Sequence, residues 1–128
     1  MTDNDSTGPW HKLIEAGSLA NGSVVEISWR EQDLLVYRTA AGACHAISAY
    51  CAHTLAYMPN GLPPGTALSE LLRGEDIRCP FHGWCYDGSG RVTEVPVSQR
   101  VPPGVQRGER VINSWQLRES DDWIMICE

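Results

Sequence analysis

Two short pairs of side chains carry the chemistry of this sequence: Cys51-Ala52-His53 and Cys79-Pro80-Phe81-His82. Cysteine and histidine are separated by one residue in the first pair and by two in the second. Turn residues accompany both pairs. Pro80 and Gly83 frame the second, and Pro59-Asn60-Gly61 follows the first. A tight turn directs both members of a pair at one point, so two facing turns would form a four-ligand cage. Two thiolates and two imidazoles suit a single zinc ion. They suit equally a [2Fe–2S] centre in which imidazoles replace the thiolates on one iron. In that case Cys51 and Cys79 hold one iron, His53 and His82 the other, and sulfides bridge them.

The residues after the second pair extend the pattern to Cys79-x-x-His82-Gly83-Trp84-x-Tyr86-Asp87-x-x-Gly90. Together with Cys51-x-His53 this resembles the Rieske [2Fe–2S] domain, of the type found in Rieske non-haem oxygenases and Rieske-type ferredoxins. The likeness runs from about Trp10 to Pro96, with a weaker tail to Glu128. Its first half departs from the pattern. The family usually has Gly two residues after the first histidine and Leu three further on, where this chain has Leu55 and Met58. The stretch between the pairs is also longer than usual. The resemblance implies one [2Fe–2S] cluster on Cys51, His53, Cys79 and His82, and redox proteins, a reductase or an oxygenase, as partners. High-potential members carry a disulfide between the cluster loops. Here the corresponding positions are Ala56 and Phe81, which implies the disulfide-free, low-potential type.

The oxidised centre would be electrically neutral, because two ferric ions balance two sulfides and two thiolates. It can therefore lie near the surface at small desolvation cost. Reduction adds one negative charge, which the resemblance places on the histidine-bound iron. Neutral imidazoles favour that state more than thiolates do, giving potentials of about −150 to +300 mV.

The rest of the chain must position these four residues. At 128 residues it is expected to form one domain over 10–128, behind a flexible polar segment at 1–9. No apolar run is long enough to cross a bilayer. There is no basic leader followed by an apolar stretch, and no twin arginine, so a cytoplasmic location is expected. A formal net charge of −6 argues against nucleic acid as a partner. The patterning predicts an all-β fold: a Rieske-like antiparallel sandwich or barrel with a small cluster-binding subdomain. Strands are expected at Val24–Trp29, Leu34–Arg38, Cys44–Ile47, Ile77–Cys79, Trp84–Tyr86, Arg91–Val95, Val111–Ile112, Trp115–Leu117 and Trp123–Cys127. Between the ligand pairs, in the insertion 59–76, Thr66 is read as the cap of a short helix. Leu68, Leu71 and Leu72 share its face and Gly74 ends it. That insertion is either a lid beside the cluster or a cover for the core. Val101-Pro102-Pro103-Gly104 reads as a stiff connecting loop.

Of five cysteines, Cys44, Cys85 and Cys127 remain after the ligands are assigned, and are expected as reduced, partly buried thiols. Cys85, three residues after His82, either flanks the cluster or packs below it. Trp84 and Tyr86 are expected beneath the cluster and Phe81 as its shield. His11 and His45 have no ligand spacing and are read as structural.

The sequence contains no second set of two histidines and a carboxylate for a mononuclear iron, and no dinucleotide fingerprint. The expectation is therefore a one-electron carrier passing electrons from a reductase to a partner oxygenase. The alternatives are the detached Rieske part of a split oxygenase and a structural zinc protein.

Overall fold

The computed structural model describes residues 9–52, 55–96 and 100–127. Of the expected flexible segment 1–9, all but Pro9 lies outside them.

The centre of the fold is a meander of near neighbours. Strands β2 (Ser23–Trp29), β3 (Gln32–Arg38) and β4 (Cys44–Ser48) pair antiparallel in sequence order, and a late strand, β9 (Ser114–Trp115), adds to β4. The β2–β3 turn is tight, with Arg30 and Glu31 both in the left-handed region (φ 54° and 66°). Two such residues in succession match the twist of a two-residue hairpin, a place where Asn-Gly is the usual choice. Strand β3 does not alternate. Leu34, Leu35, Val36 and Tyr37 are all fully buried, because the strand has a core on each side.

On one side, Leu34, Val36 and Ala46 pack with Leu19, Ile124 and Ile126. The last two come from a three-stranded sheet of β1 (Trp10–Glu15), β10 (Leu117–Ser120) and β11 (Trp123–Cys127), with β11 in the middle. On the other side, Leu35, Tyr37 and Ile47 pack with Leu71, Ile77, Trp84 and Tyr86. These belong to, or lead into, a small sheet of β5 (Leu72–Arg73), β6 (Asp76–Arg78), β7 (Cys85–Tyr86) and β8 (Val92–Glu94). The second core also contains Cys51 and Cys79. The result is the expected all-β architecture with a small ligand-bearing subdomain.

The departures from expectation are local. The helix expected after Thr66 is a single 3-10 turn, Leu68–Leu71, preceded by Ala67 rather than capped by Thr66. Leu72 already belongs to β5, because Gly74 (φ 65°) turns the chain back into β6. The insertion is a cover for the core: Leu71 is fully buried, and Leu62, Leu68 and Leu72 pack against the same cluster. Val111–Ile112 forms no strand; the neighbouring Arg110 makes an isolated bridge to Arg91. The stiff loop at 101–104 contains the start of a one-turn helix, α1 (Pro103–Gln106). Strand β1 was not legible, because Trp10–Glu15 lacks a two-residue alternation and a bulge interrupts its pairing between Lys12 and Ile14.

The β7–β8 turn fixes the hairpin that leaves the second ligand pair. Asp87 Oδ1 accepts from the Ser89 and Arg91 amides at 2.9 and 3.1 Å. Gly90 has φ 86°, and a β-carbon there would lie 2.2 Å from the Ile112 carbonyl oxygen. Gly90→Ala is expected to cost about 2–3 kcal/mol through strain and this clash. Chemical denaturation measures it, and a loss under about 0.5 kcal/mol, the range of an ordinary surface substitution, would contradict the packing described.

Candidate metal centre

Cys51 and Cys79 each open a loop closed by the same two backbone hydrogen bonds. In the first, the Cys51 amide donates to the Ala56 carbonyl at 2.9 Å, and the Leu55 amide donates to the Cys51 carbonyl at 2.6 Å. In the second, the Cys79 amide donates to the Trp84 carbonyl at 2.7 Å, and the Gly83 amide donates to the Cys79 carbonyl at 2.9 Å. Each cysteine thus opens a six-residue tip, and the fifth residue of each tip is left-handed: Leu55 at φ 60° and Gly83 at φ 83°. The glycine expected at position 55 by resemblance has its counterpart at 83. In the first loop a leucine takes that conformation, with 76% of its surface exposed.

The neck of the first loop is held by two tyrosines. Tyr50 and Tyr57 pair across it in an isolated bridge, with ring centroids 5.3 Å apart. Tyr50 donates to Asp33 Oδ2 at 2.7 Å, and the Tyr57 hydroxyl bonds Glu26. Burial, and then the Glu26 bond, push the Tyr57 phenol well above its ordinary range, so it remains a donor. Only the structure reveals these tyrosines as positioning residues; in the sequence they are two aromatics on either side of a loop.

The two loops are tied together at the sulfurs. Cys51 and Cys79 are fully buried, and their thiols lie within hydrogen-bonding range of each other. Tyr86 is buried beside them, its hydroxyl 3.1 Å from Cys51 Sγ. The Ala52 amide donates to that hydroxyl oxygen at 3.0 Å. The phenol proton is therefore directed at the sulfur. Burial first, and then the bond to Cys51, raise the Tyr86 phenol far above its usual range, so it keeps its proton. Cys79 is also shifted strongly upward, by Cys51 and then by burial. The Phe81 and His82 amides, which donate to its sulfur, work in the opposite direction. Two thiolates this close in a dry interior repel each other, and a cation between them removes the conflict. Buried sulfurs surrounded by N–H and O–H donors are the environment a sulfur-ligated iron centre requires.

His82 lies on the surface at the tip of the second loop. His53 falls outside the described residues. Among the described residues, no three of His, Cys, Asp and Glu converge tightly enough to hold a single ion.

Around this site the other expectations divide. Trp84 and Tyr86 are buried in the same cluster as the two cysteines, as expected. Phe81 is 42% exposed, and its ring lies to the side, next to Gly61. A β-carbon on Gly61 would meet Pro80 Cγ at 2.6 Å and the Phe81 ring at 3.1 Å, so the insertion's first turn is dovetailed against the second loop. Cys85 is buried, with its thiol 3.8 Å from the Gly83 carbonyl oxygen, and packs below the loop. No disulfide joins any of the five cysteines. His11 lies against Trp29 and Arg30. His45 is wedged between the Tyr37 ring, 5.4 Å away, and Gly88, where a β-carbon would overlap it. Both are structural.

A buried cysteine pair under a histidine-bearing tip, set on a three-layered β fold, defines a class of iron–sulfur domain. The chain belongs to the Rieske [2Fe-2S] domain family, which it matches over residues 9–111. It is 33% identical over 117 residues to cholesterol 7-desaturase of Bombyx mori, covering 91% of this chain and 23% of the desaturase. It is 32% identical over 93 residues to the oxygenase component of 3-ketosteroid-9-alpha-monooxygenase of Rhodococcus rhodochrous, covering 73% of this chain and 22% of that protein. Among solved structures, dicamba monooxygenase superposes with a TM-score of 0.72 at 21% identity, over 94% of this chain and 32% of the other. The oxygenase of carbazole 1,9a-dioxygenase, solved in complex with a ferredoxin, gives 0.72 at 15% identity, over 95% and 29%. The chain thus spans less than a quarter of the length of these two curated relatives. The family assigns the cofactor, one [2Fe-2S] cluster, and with it a role in electron transfer.

Leu55 gives a direct test of the loop geometry. Leu55→Gly removes about 1–2 kcal/mol of left-handed strain and adds about 0.5–1 kcal/mol of unfolded-chain entropy, for a small net gain. Leu55→Ile, branched at Cβ, is expected to lose about 1 kcal/mol or more. Thermal bleaching of the cluster's visible absorption ranks the variants, and three equal midpoints would contradict a left-handed residue at this position.

Proposed function

We propose that Cys51 and Cys79 hold one iron of the cluster, and His53 and His82 the other. The chain would then be the electron-delivering unit of a non-haem iron oxygenase system, with residues 10–128 acting as one domain. One observation carries this reading. Two loops with identical closing hydrogen bonds bring their cysteines together in the core and leave His82 at the surface.

When bound, the cluster supplies a centre that accepts and releases one electron. The side chains of this protein set its conditions. Tyr86 and the Phe81 and His82 amides donate to the cysteine sulfurs, which favours the more negative, reduced state. Trp84 and the Leu71–Ile77 side of the core exclude water from the sulfur end. The exposed His82 edge offers a route to another protein.

The receiving centre is proposed to be a mononuclear iron. The curated relatives described above include a desaturase and the oxygenase component of a monooxygenase, and the matched segment is a minor part of each. That favours a unit working inside an oxygenase assembly. The second reading is a carrier that docks, transfers and leaves, a role that the family's one-electron cluster also fits. Co-purification with a catalytic subunit supports the first, and turnover with a freely diffusing partner the second. No helix among the described residues is long and apolar enough to cross a membrane, and neither reading requires one.

Electron paramagnetic resonance of the reduced protein tests the ligand set. A mixed histidine–cysteine signal is expected, accompanied by iron and acid-labile sulfide in equal amounts. His82→Cys should convert the signal towards the all-cysteine form, and an unaltered signal removes His82 from the ligand set. Tyr86→Phe should lower the reduction potential by about 40 mV, the equivalent of one hydrogen bond of about 1 kcal/mol for a single electron.

A further inference from the structure

Beside the Gly88-Ser89 turn, between β7 and β8, lies a half-open cavity of about 460 Å³. This is within the range of small-molecule sites, about 300–1,000 Å³. Its walls come from four separate parts of the chain: Trp10 of β1, His45 of β4, the Gly88-Ser89 turn, and the segment Arg110 to Arg118. Trp10 and Trp115 offer indole surface, and Arg110 and Arg118 are exposed.

The charge here runs against the rest of the molecule. The chain has ten lysines and arginines against sixteen acidic residues. Yet two arginines and no Asp or Glu are among the described residues lining this cavity. The carboxylates of Glu75, Asp76 and Asp87 line an adjoining recess, which shares His45, Gly88 and Ser89 with the cavity. His45 is half-buried, and desolvation lowers its affinity for a proton despite those nearby acids. The positive charge of the cavity therefore rests with the arginines.

Arg118 is also preorganised. Its guanidinium lies 4.4 Å from the centroid of the Trp10 ring. A guanidinium stacked on an aromatic face carries its donors around its edge, in the planar fork that matches a carboxylate.

We propose that this cavity binds a small planar anion of the aromatic carboxylate class, with its ring against the indoles and its carboxylate on Arg110 and Arg118. The site is separate from the metal centre. It nevertheless touches the Gly88-Ser89 turn, which follows directly on Tyr86 and Asp87.

Calorimetric titration of the cluster-loaded protein with benzoate tests the assignment. Saturable binding is expected. Benzamide has the shape without the charge, and acetate the charge without the ring; each should bind at least about tenfold more weakly. Arg110→Gln and Arg118→Gln should each weaken benzoate about tenfold, the loss of one charge-assisted contact. Both side chains are exposed, and the unchanged visible spectrum of the cluster verifies the fold of each variant. Absence of saturable benzoate binding, equal binding of benzamide or acetate, or an affinity that survives both substitutions would overturn the proposal. Because the readout is heat of binding, such a failure leaves the electron-transfer reading standing.

Discussion

Two sulfur atoms that would repel each other as thiolates are held side by side in a water-free core. The rest of the structure is arranged around that constraint. The repulsion is strongest where the dielectric is lowest, so the fold must supply stabilisation from neighbours and from the ion it binds. Tyr86 contributes a proton, Phe81 and His82 contribute amides, and the two loop tips contribute matched geometry. The tyrosine does two jobs with one hydroxyl. It accepts from Ala52 in the first loop while donating to Cys51, and its own backbone belongs to β7 beyond the second.

Rigidity at the tips comes from below. The first loop stands on β3 and β4, and its neck is tied by tyrosines to carboxylates on β2 and β3. The second stands on β6 and β7. The insertion joins them from the side, where Gly61 lets Pro80 approach closely enough to interlock. Contacts of these kinds hold a site on strands rather than on loops alone, and fix a metal ligand within a fraction of an ångström.

The second Cys–His loop, its glycine and the aromatics after it were legible because each has a fixed offset from Cys79. The meander was legible because β2, β3 and β4 are contiguous runs bounded by charged or glycine turns. Strand β1 was hidden by its bulge and by an interleaved pattern of half-buried residues. The turn at Leu68–Leu71 was read as a longer helix because apolar spacing alone does not distinguish one 3-10 turn from two α turns, and Gly74 redirects the chain only in three dimensions. At position 55 the departure from the family pattern was visible, but its meaning was not. A leucine can occupy a glycine's conformation at a cost that the surrounding loop makes up. The roles of Tyr50 and Tyr57 depend on partners more than fifteen positions away, and no local pattern announces them.

The pairing of β1 with β11 has a consequence for how the polypeptide is made. Ile124 and Ile126 cover the outer side of Leu34 and Val36, and they are synthesised well after the meander they cover. Until then the growing chain carries β2, β3 and β4 with that apolar side only partly covered, by Leu19 and its neighbours. The cysteine-bearing side waits as well, because Ile112, with Val105 and Val111 packed beside it, belongs to the core around Cys51 and Cys79.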